Sequence, residues 1–244
     1  MFDSKIVSEV NPDFLLNKCY RTDPKTLMFS HAVGMGLFEK PYLRWLTDQE
    51  WDACGYIINK DSNNYKISRK KLRRFEDLDS KDIESIKLIA DDNKNYSQNI
   101  INIIDEIRKE NLTVKADDIG IIFLENIDEN YRLASELEIL IERKFGWKVN
   151  IGYKSKVNEK GSVFISNRNN VKGLEFPFVI CITQQRITDN IQKRNSLYMM
   201  LTRSFITTYF LVSSKNNSQE LIDLYQNGIT KIKHDEELIL EEPN

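Results

Sequence analysis

Three short segments combine an arginine, a lysine or a carboxylate with residues that could bind a nucleotide. The first, "LNKCYRTDPK" (16–25), places Tyr20 and Arg21 at a predicted strand-to-helix junction. An arginine can bind a phosphate through two parallel hydrogen bonds, and a tyrosine ring can stack on a planar base. The alternative interpretation is a surface ion pair for Arg21 and a half-buried Tyr20.

The second segment, "NNVKGLEFPFVICIT" (169–183), leads from a polar turn directly into an apolar, β-branched run. Gly173, which follows Lys172, would allow a ligand to approach the backbone closely. The carboxylate of Glu175 could accept hydrogen bonds from a sugar hydroxyl. The alternative interpretation is a turn of solvated charges ahead of a core strand.

The third segment, "RNSLYMMLTRSFITTYFLVSS" (194–214), places Arg203 at the end of a predicted helix that leads into a strand. An arginine in this position can point across a domain cleft toward a γ-phosphate, as an arginine finger does. Alternatively, Arg203 is a cation near a helix C-terminus, where the helix dipole favours positive charge.

Several other motifs of nucleotide-binding and hydrolytic proteins are absent from the sequence. It contains neither a Gly-x-x-x-x-Gly-Lys-[Ser/Thr] phosphate-binding loop nor a Gly-x-Ser-x-Gly nucleophile elbow. The segment "GMGLF" (34–38) lacks the third glycine and the preceding strand of a dinucleotide-binding loop. The two histidines, His31 and His234, are too few for a histidine-based metal site, and a Ser-His-Asp triad is not expected.

Taken in order along the chain, the three segments resemble the second motor domain of superfamily 1 helicases of the UvrD/Rep/PcrA type. "NKCYRT" is similar to the family's fourth motif, "NNVKGLEFPFVI" to its fifth and "NSLYMMLTRS" to its sixth. The resemblance extends over about residues 5–30 and 118–214. It implies a RecA-like α/β fold, ATP bound between two RecA-like domains, and translocation on single-stranded DNA.

The resemblance also implies a role for each matching residue. Tyr20 would stack on adenine, Arg21 and Arg203 would contact the γ-phosphate, and Gly173 and Glu175 would face the ribose and phosphates. The P-loop and the Mg²⁺ ligands would come from the N-terminal RecA-like domain, which the sequence does not contain. We therefore expect a C-terminal piece of a longer helicase, inactive alone, rather than a stand-alone remnant.

The expected DNA contacts depart from the family pattern. Members usually have a threonine and a histidine shortly before the motif lysine, and here those positions are Asn167 and Asn169. Both asparagines can hydrogen-bond a phosphate, and Arg168 lies between them. The residues expected to contact nucleic acid are therefore Asn167, Arg168, Asn169 and Lys172.

These segments need a scaffold, and the second half of the chain predicts one. Short apolar runs alternate with amphipathic helical stretches, which is typical of a parallel α/β sheet covered on both faces. We expect strands at 118–124, 147–153, 162–166, 176–183 and 207–214, with helices after residue 128 and at 192–203.

The expected RecA-like domain comprises residues 1–40 and 116–230. Residues 41–115 are interpreted as an insertion, or a small α-rich subdomain, with an amphipathic helix at Ile100, Ile103, Ile104 and Ile107. Residues 231–244 are interpreted as an acidic tail, either a peripheral helix or a frayed end.

Composition narrows the class of protein. The chain has 244 residues, 41% hydrophobic and 30% charged, with a net charge of -2, so a general attraction to nucleic acid is not expected. Three scattered cysteines without Cys-x-x-Cys spacing indicate a reducing cytosol, and we expect neither a metal site nor a membrane span.

Two alternatives remain open at this point. One is a non-catalytic, helicase-like module that binds single-stranded nucleic acid or a protein partner. The other is a single-strand binder that uses the basic run "SRKKLRRF" (68–75), which a solvated surface also explains.

Overall fold

The computed structural model describes residues 22–61, 64–69, 84–92, 95–155 and 159–243. In this part of the chain the helices are α1 (Pro24–Met35), α2 (Asp48–Ala53), α3 (Tyr96–Glu110), α4 (Asp128–Phe145), α5 (Ile191–Leu201) and α6 (Gln219–Asp235). The strands are β1 (Ile57–Asp61), β2 (Asn64–Ser68), β3 (Ile86–Asp91), β4 (Ile119–Phe123), β5 (Lys148–Ile151), β6 (Ser162–Asn167), β7 (Phe176–Thr183), β8 (Ser204–Ser213) and β9 (Glu237–Glu241).

Six strands form one sheet in the order β3-β8-β7-β4-β6-β5, and each neighbouring pair is parallel. The five strands expected in the second half of the chain are all present. Helices cover both faces of the sheet, which is why the central strands are apolar throughout rather than alternating. The predicted α/β class is therefore confirmed.

The two faces of the sheet carry separate hydrophobic clusters. On one face, Val179 and Phe210 pack with side chains of α1, α5 and α6. On the other face, Ile180 and Leu211 pack with the isoleucine and leucine faces of α3 and α4. Because neighbouring residues of β7 and β8 point to opposite sides, the two central strands stabilise both clusters at once.

The structure differs from the expected boundaries of the insertion. Strand β3 pairs with β8 at the edge of the large sheet, and α3 packs into its second hydrophobic cluster. Strand β3 and helix α3 thus extend the main α/β layer, because their apolar faces match its open edge. The described residues between 41 and 69 form the short helix α2 and the hairpin β1–β2 rather than an α-rich unit.

The expected acidic tail also differs. Strand β9 pairs with β2, which gives a three-stranded antiparallel sheet in the order β1-β2-β9. Leu238 and Leu240 are buried while Glu237 and Glu241 point to the other side. This two-residue alternation is the signature of a half-buried strand, and it outweighs the acidic composition that suggested a frayed end.

Some expectations fall outside the described residues. They concern residues 5–21 of the segment that resembles the helicase family, and residues 70–75 of the basic run. None of the helices in the described ranges combines the length and apolar character that crossing a bilayer requires.

Helices α1 and α5 lie in close contact. A Cβ added to Gly34 would come within 2.9 Å of the Cβ of Tyr198, so the two backbones meet at this glycine. One turn earlier, the ring of His31 stacks on Tyr198 with 4.5 Å between centroids. His31 Nδ1 also shares a hydrogen bond with the hydroxyl of Tyr56. Helix α5, which ends just before Arg203, is thereby fixed on α1.

The surroundings of His31 favour a neutral imidazole. Burial lowers the pKa of His31 from 6.5 to about 4, and the positive charge of Arg69 contributes in the same direction. The guanidinium of Arg69 lies 5.1 Å from the ring centroid of Tyr56, the residue that shares the hydrogen bond with His31. Protonation of His31 would therefore place a second cation beside Arg69 in a desolvated contact.

Acidification is expected to destabilise the protein through His31. Because the folded pKa is about 4 and the ordinary value is 6.5, the unfolded chain takes up the proton first as the pH falls. The stabilisation is complete above pH 6.5 and is lost on acidification between pH 6.5 and about 4. At about pH 5 the expected loss is roughly 1 to 2 kcal/mol.

Urea unfolding at about pH 7.5 and about pH 5 measures this loss, and His31→Gln should reduce the difference between the two pH values. An equal pH dependence in the wild type and the variant would contradict the role of His31.

Candidate functional site

The structure brings Glu175 and Arg203 to the same edge of the large sheet. Glu175 directly precedes β7 and Arg203 directly precedes β8, and the two strands are parallel neighbours. Their amino-terminal ends therefore lie side by side. The backbone N–H of Phe176 donates a hydrogen bond of 3.0 Å to the carbonyl of Arg203, which joins the two motif segments directly. We call this end of the sheet the amino edge.

Arg203 is held at the amino edge by the end of α5. Its backbone N–H donates to the carbonyl of Met200 at 3.1 Å, and its Nε donates to the carbonyl of Met199 at 2.8 Å. These carbonyls belong to the last helical turn, where they need donors from outside the helix and where positive charge is favoured. The side chain is half-buried. The backbone and the Nε of Arg203 are therefore held at the amino edge by hydrogen bonds to α5.

In the turn before β7, apolar residues attach the chain to the core and charged residues face the solvent. Val171 is fully buried and Leu174 packs against the core cluster, while Lys172, Gly173 and Glu175 are exposed. Gly173 has a φ of 85°, a conformation that glycine adopts without strain. A Cβ built on it would meet nothing within 4 Å. The space in front of Gly173 is open, which suits the approach of a ligand.

The ring of Phe176 anchors this turn to the sheet. It is 2% exposed and stacks on Phe164 with 5.6 Å between centroids. It also lies over Gly120 of β4, where an added Cβ would come within 2.6 Å of the ring. Because Gly120 has no side chain, the ring of Phe176 can pack against the backbone of β4. The packed ring in turn fixes the position of the neighbouring residue, Glu175.

The pairing of β7 and β8 is irregular next to the site. Phe176 faces Ser204, but Phe178 faces Thr207, so β8 contains one residue more than β7 over this stretch. Pro177 lies opposite the irregularity, where a residue without an N–H donor is tolerated. Bulges of this kind are frequent beside active sites, since they redirect the chain locally.

Tyr20 and Arg21 lie outside the described residues. The next residue, Thr22, is described and is 1% exposed. Its hydroxyl donates a hydrogen bond of 2.9 Å to the carbonyl of Thr202, the residue before Arg203. The segment that follows Arg21 in the sequence is therefore fixed at the amino edge beside Arg203.

The expected nucleic-acid contacts begin at the opposite end of the sheet. Asn167 is the last residue of β6, and Arg168 and Asn169 follow in a 3₁₀ turn. The chain then crosses the sheet face to the amino edge, with Lys172 on the way. The structure therefore places Asn167, Arg168 and Asn169 at the end of the sheet away from Arg203, whereas Lys172 lies in the turn before β7.

Asn167 differs from its expected role as a surface contact. It is 6% exposed, and its amide donates to the side-chain oxygen of Asn126 at 3.1 Å. Its own oxygen accepts from the N–H of Asn169 at 3.0 Å. Asn167 therefore shapes the turn that presents Arg168, which is half-buried, and Asn169, which is exposed.

Sequence reasoning missed a buried carboxylate beside this turn. Glu125 follows β4 and is 7% exposed. It accepts hydrogen bonds from the Thr183 hydroxyl at 2.6 Å and from the N–H groups of Gln184 and Gln185 at 3.2 Å. It fixes the loop after β7. The only signal was a glutamate immediately after an apolar strand, which is also common on surfaces.

A second missed residue is Arg194 in α5, which is 1% exposed. Its guanidinium donates to both carboxylate oxygens of Glu39, at 2.7 and 2.6 Å, and to the Tyr225 hydroxyl at 2.9 Å. A buried charge is tolerated when it is paired and hydrogen-bonded in this way. Arg194 joins α5 and α6 to the segment after α1, and no local pattern distinguishes it from a surface arginine.

Comparison with known proteins gives a family match over the site. Residues 162–211, from β6 into β8, match the family model of the UvrD-like helicase C-terminal domain. This segment contains the Lys-Gly-Leu-Glu turn and Arg203, so the resemblance of the fifth and sixth motifs is confirmed. None of the curated proteins matches the sequence.

A solved structure also resembles the chain. It is the crystal structure of the C-terminal domain of a possible DNA helicase from Lactobacillus plantarum WCFS1, with 18% identity and a TM-score of 0.42. The match covers 56% of this chain and 78% of that one.

Gly120→Ala is expected to destabilise the protein by about 1 to 3 kcal/mol, because the added methyl group overlaps the Phe176 ring in a packed interior. Urea unfolding measures the change. In a Phe176→Leu background the same substitution should cost less, since the smaller side chain leaves room. If the cost were the same in both backgrounds, Phe176 would not be the obstacle.

Proposed function

We propose that the chain is the second motor domain of a superfamily 1 DNA helicase and supplies half of an ATP site. The observation that carries the proposal is the meeting of three motif segments at the amino edge. Glu175 and Arg203 lie there just before two adjacent strands, and Thr22 fixes the segment after Arg21 beside them. The family match over residues 162–211 supports the same function.

The chemistry of these side chains suits a nucleoside triphosphate. Arg21 and Arg203 offer planar, permanently charged groups that can bind the γ-phosphate and stabilise the charge that develops on its oxygens during transfer. Tyr20 offers a ring for adenine. Glu175 and the open backbone at Gly173 would face the ribose and phosphates.

The other half of the site would belong to an N-terminal RecA-like domain. Its P-loop would hold the phosphates and Mg²⁺, and one of its carboxylates would position the attacking water. The residues of this chain would stabilise the transition state electrostatically and would not themselves exchange protons with the substrate. Both domains would act in the cytoplasm.

The second ligand in this proposal is single-stranded DNA. Arg168, Asn169 and Lys172 would bind phosphates by charge and hydrogen bonding, with Asn167 holding the turn in shape. Since these contacts are to the backbone, they would read no base sequence. Loss of the γ-phosphate on hydrolysis would release the arginine contacts and allow the two domains to separate, which couples hydrolysis to movement on the strand.

In the protein that joins this domain to the P-loop domain, Arg203→Ala or Arg21→Ala is expected to lower the kcat of ATP hydrolysis about 10³-fold or more, as for other arginine fingers. Steady-state phosphate release measures this rate. Arg132→Ala is the control, because Arg132 is an exposed arginine of α4 on the other face of the sheet.

The 244-residue chain alone should bind ATP weakly without hydrolysing it. Wild-type turnover in either finger variant, or turnover by the isolated chain that Arg203→Ala abolishes, would reject the assignment.

The DNA contacts predict a change in salt dependence. Replacing both Arg168 and Lys172 by alanine should reduce the slope of log affinity against log salt by about 1.4, since each phosphate contact on a single strand contributes roughly 0.7. Fluorescence anisotropy of a labelled oligo(dT) strand over a KCl series measures the slope. Arg143→Ala with Lys148→Ala removes two exposed cations elsewhere and should leave it unchanged. Equal slopes for both double variants would remove Arg168 and Lys172 from the interface.

A further inference from the structure

The hydrogen bond between Thr22 and Thr202 connects two distant parts of the chain. The Thr22 hydroxyl donates to the Thr202 carbonyl at 2.9 Å across 180 residues of sequence. The two residues are 1% and 5% exposed, so water does not compete for the bond. Thr202 is the C-cap residue of α5, where backbone carbonyls need a donor from outside the helix. The bond is therefore a buried tie between the start of α1 and the end of α5.

Each end of this tie is one residue from an arginine of the proposed site. Arg21 precedes Thr22, and Arg203 follows Thr202. We infer that Thr22 is a positioning residue, whose hydroxyl holds the two arginine segments in register so that both arginines engage one γ-phosphate. This inference rests on the proposed function and adds to it a residue that does not touch the nucleotide.

The acceptor side of the tie is rigid. The Thr202 hydroxyl donates to the carbonyl of Met199 at 3.1 Å, and its N–H donates to the carbonyl of Tyr198 at 3.1 Å. The hydroxyl of Thr208, on β8, donates to the carbonyl of Leu201 at 3.0 Å. The last turn of α5 is thus bonded to itself and to the strand that follows Arg203.

The donor side is fixed as well. Asp23 caps α1 by accepting from the N–H of Lys25 at 2.9 Å, and Pro24 opens the helix. One turn later, the hydroxyl of Thr26 donates to the carbonyl of Ser85 at 2.8 Å, beside β3. The Thr22 hydroxyl therefore joins two segments, the start of α1 and the end of α5, that are each held by further hydrogen bonds.

Thr26 provides a matched control for Thr22. Both are buried threonines near the start of α1, and each donates its hydroxyl to a backbone carbonyl of a distant segment. Replacing either by valine removes one such bond at nearly constant side-chain shape. A merely structural role predicts the same consequences for both substitutions, whereas a positioning role predicts a nucleotide effect for Thr22 alone.

The test compares ATP with ADP, because only ATP carries the γ-phosphate. Fluorescence anisotropy with N-methylanthraniloyl derivatives of ATP and ADP gives the ratio of the two affinities for the 244-residue chain. Thr22→Val is expected to lower the ATP-to-ADP affinity ratio about fivefold or more, the equivalent of one hydrogen bond. Thr22→Ser retains the hydroxyl and should restore the ratio. Thr26→Val should leave it near that of the wild type.

A double-mutant cycle makes the test specific. In an Arg203→Ala background, Thr22→Val should have little further effect on the ratio, since one of the two arginines is already missing. Circular dichroism melting verifies folding, and Thr22→Ala is measured in the same way if the valine variant does not fold. If Thr22→Val and Thr26→Val lower the ratio equally, or neither does, Thr22 has no positioning role.

Failure of the proposed function gives a different result. If the wild type does not prefer ATP to ADP and Arg203→Ala changes nothing, then the ATP site itself is wrong and the inference falls with it. If the wild type prefers ATP and Arg203→Ala removes that preference while Thr22→Val does not, only the inference is overturned.

Discussion

The parallel pairing of β7 with β8 is the constraint on which the amino edge depends. The hydrogen bond from the N–H of Phe176 to the carbonyl of Arg203 joins the two strands at their amino-terminal ends. The residues just before each strand, Glu175 and Arg203, must therefore lie side by side. Since β7 and β8 are both central and covered on two faces, neither segment can shift without disturbing both hydrophobic clusters.

Around this pairing, buried polar groups do the local positioning. At the amino edge, the hydroxyls of Thr22 and Thr208 satisfy carbonyls at the end of α5. At the opposite edge, Glu125 holds the loop after β7, and Asn167 holds the turn after β6. Thr208, Glu125 and Asn167 each have more than one hydrogen-bond partner, which keeps the cost of burying polar atoms low and selects one loop geometry. Specific polar contacts therefore define the two ends of the sheet, and apolar packing defines its middle.

The sequence predicted this middle well and the periphery poorly. Strands β4, β6 and β7 are apolar on both faces, so a short unbroken run identifies them. In strand β9 buried and exposed residues alternate, but its acidic residues suggested a solvated tail instead of a strand. Strand β3 was missed because its place beside β8 depends on a contact more than 100 residues away in the sequence. Within the candidate site, the motif resemblance pointed to Glu175 and Arg203, whose roles stay predictions, whereas the buried contacts of Asn167 and Arg194 depend on partners that no local pattern reveals.

The chain between the two edges limits how they can communicate. Residues 168–175 cross the sheet face in eight residues, from the end of β6 to the start of β7. Val171 and Leu174 attach this crossing to the core, and Phe176 seats over Gly120 at its end. Residues 168–175 can therefore change conformation little without losing these contacts. In the proposed function, a nucleotide signal at the amino edge would therefore reach the proposed DNA contacts through movement of the whole domain against the P-loop domain, with the crossing carried as part of one rigid body.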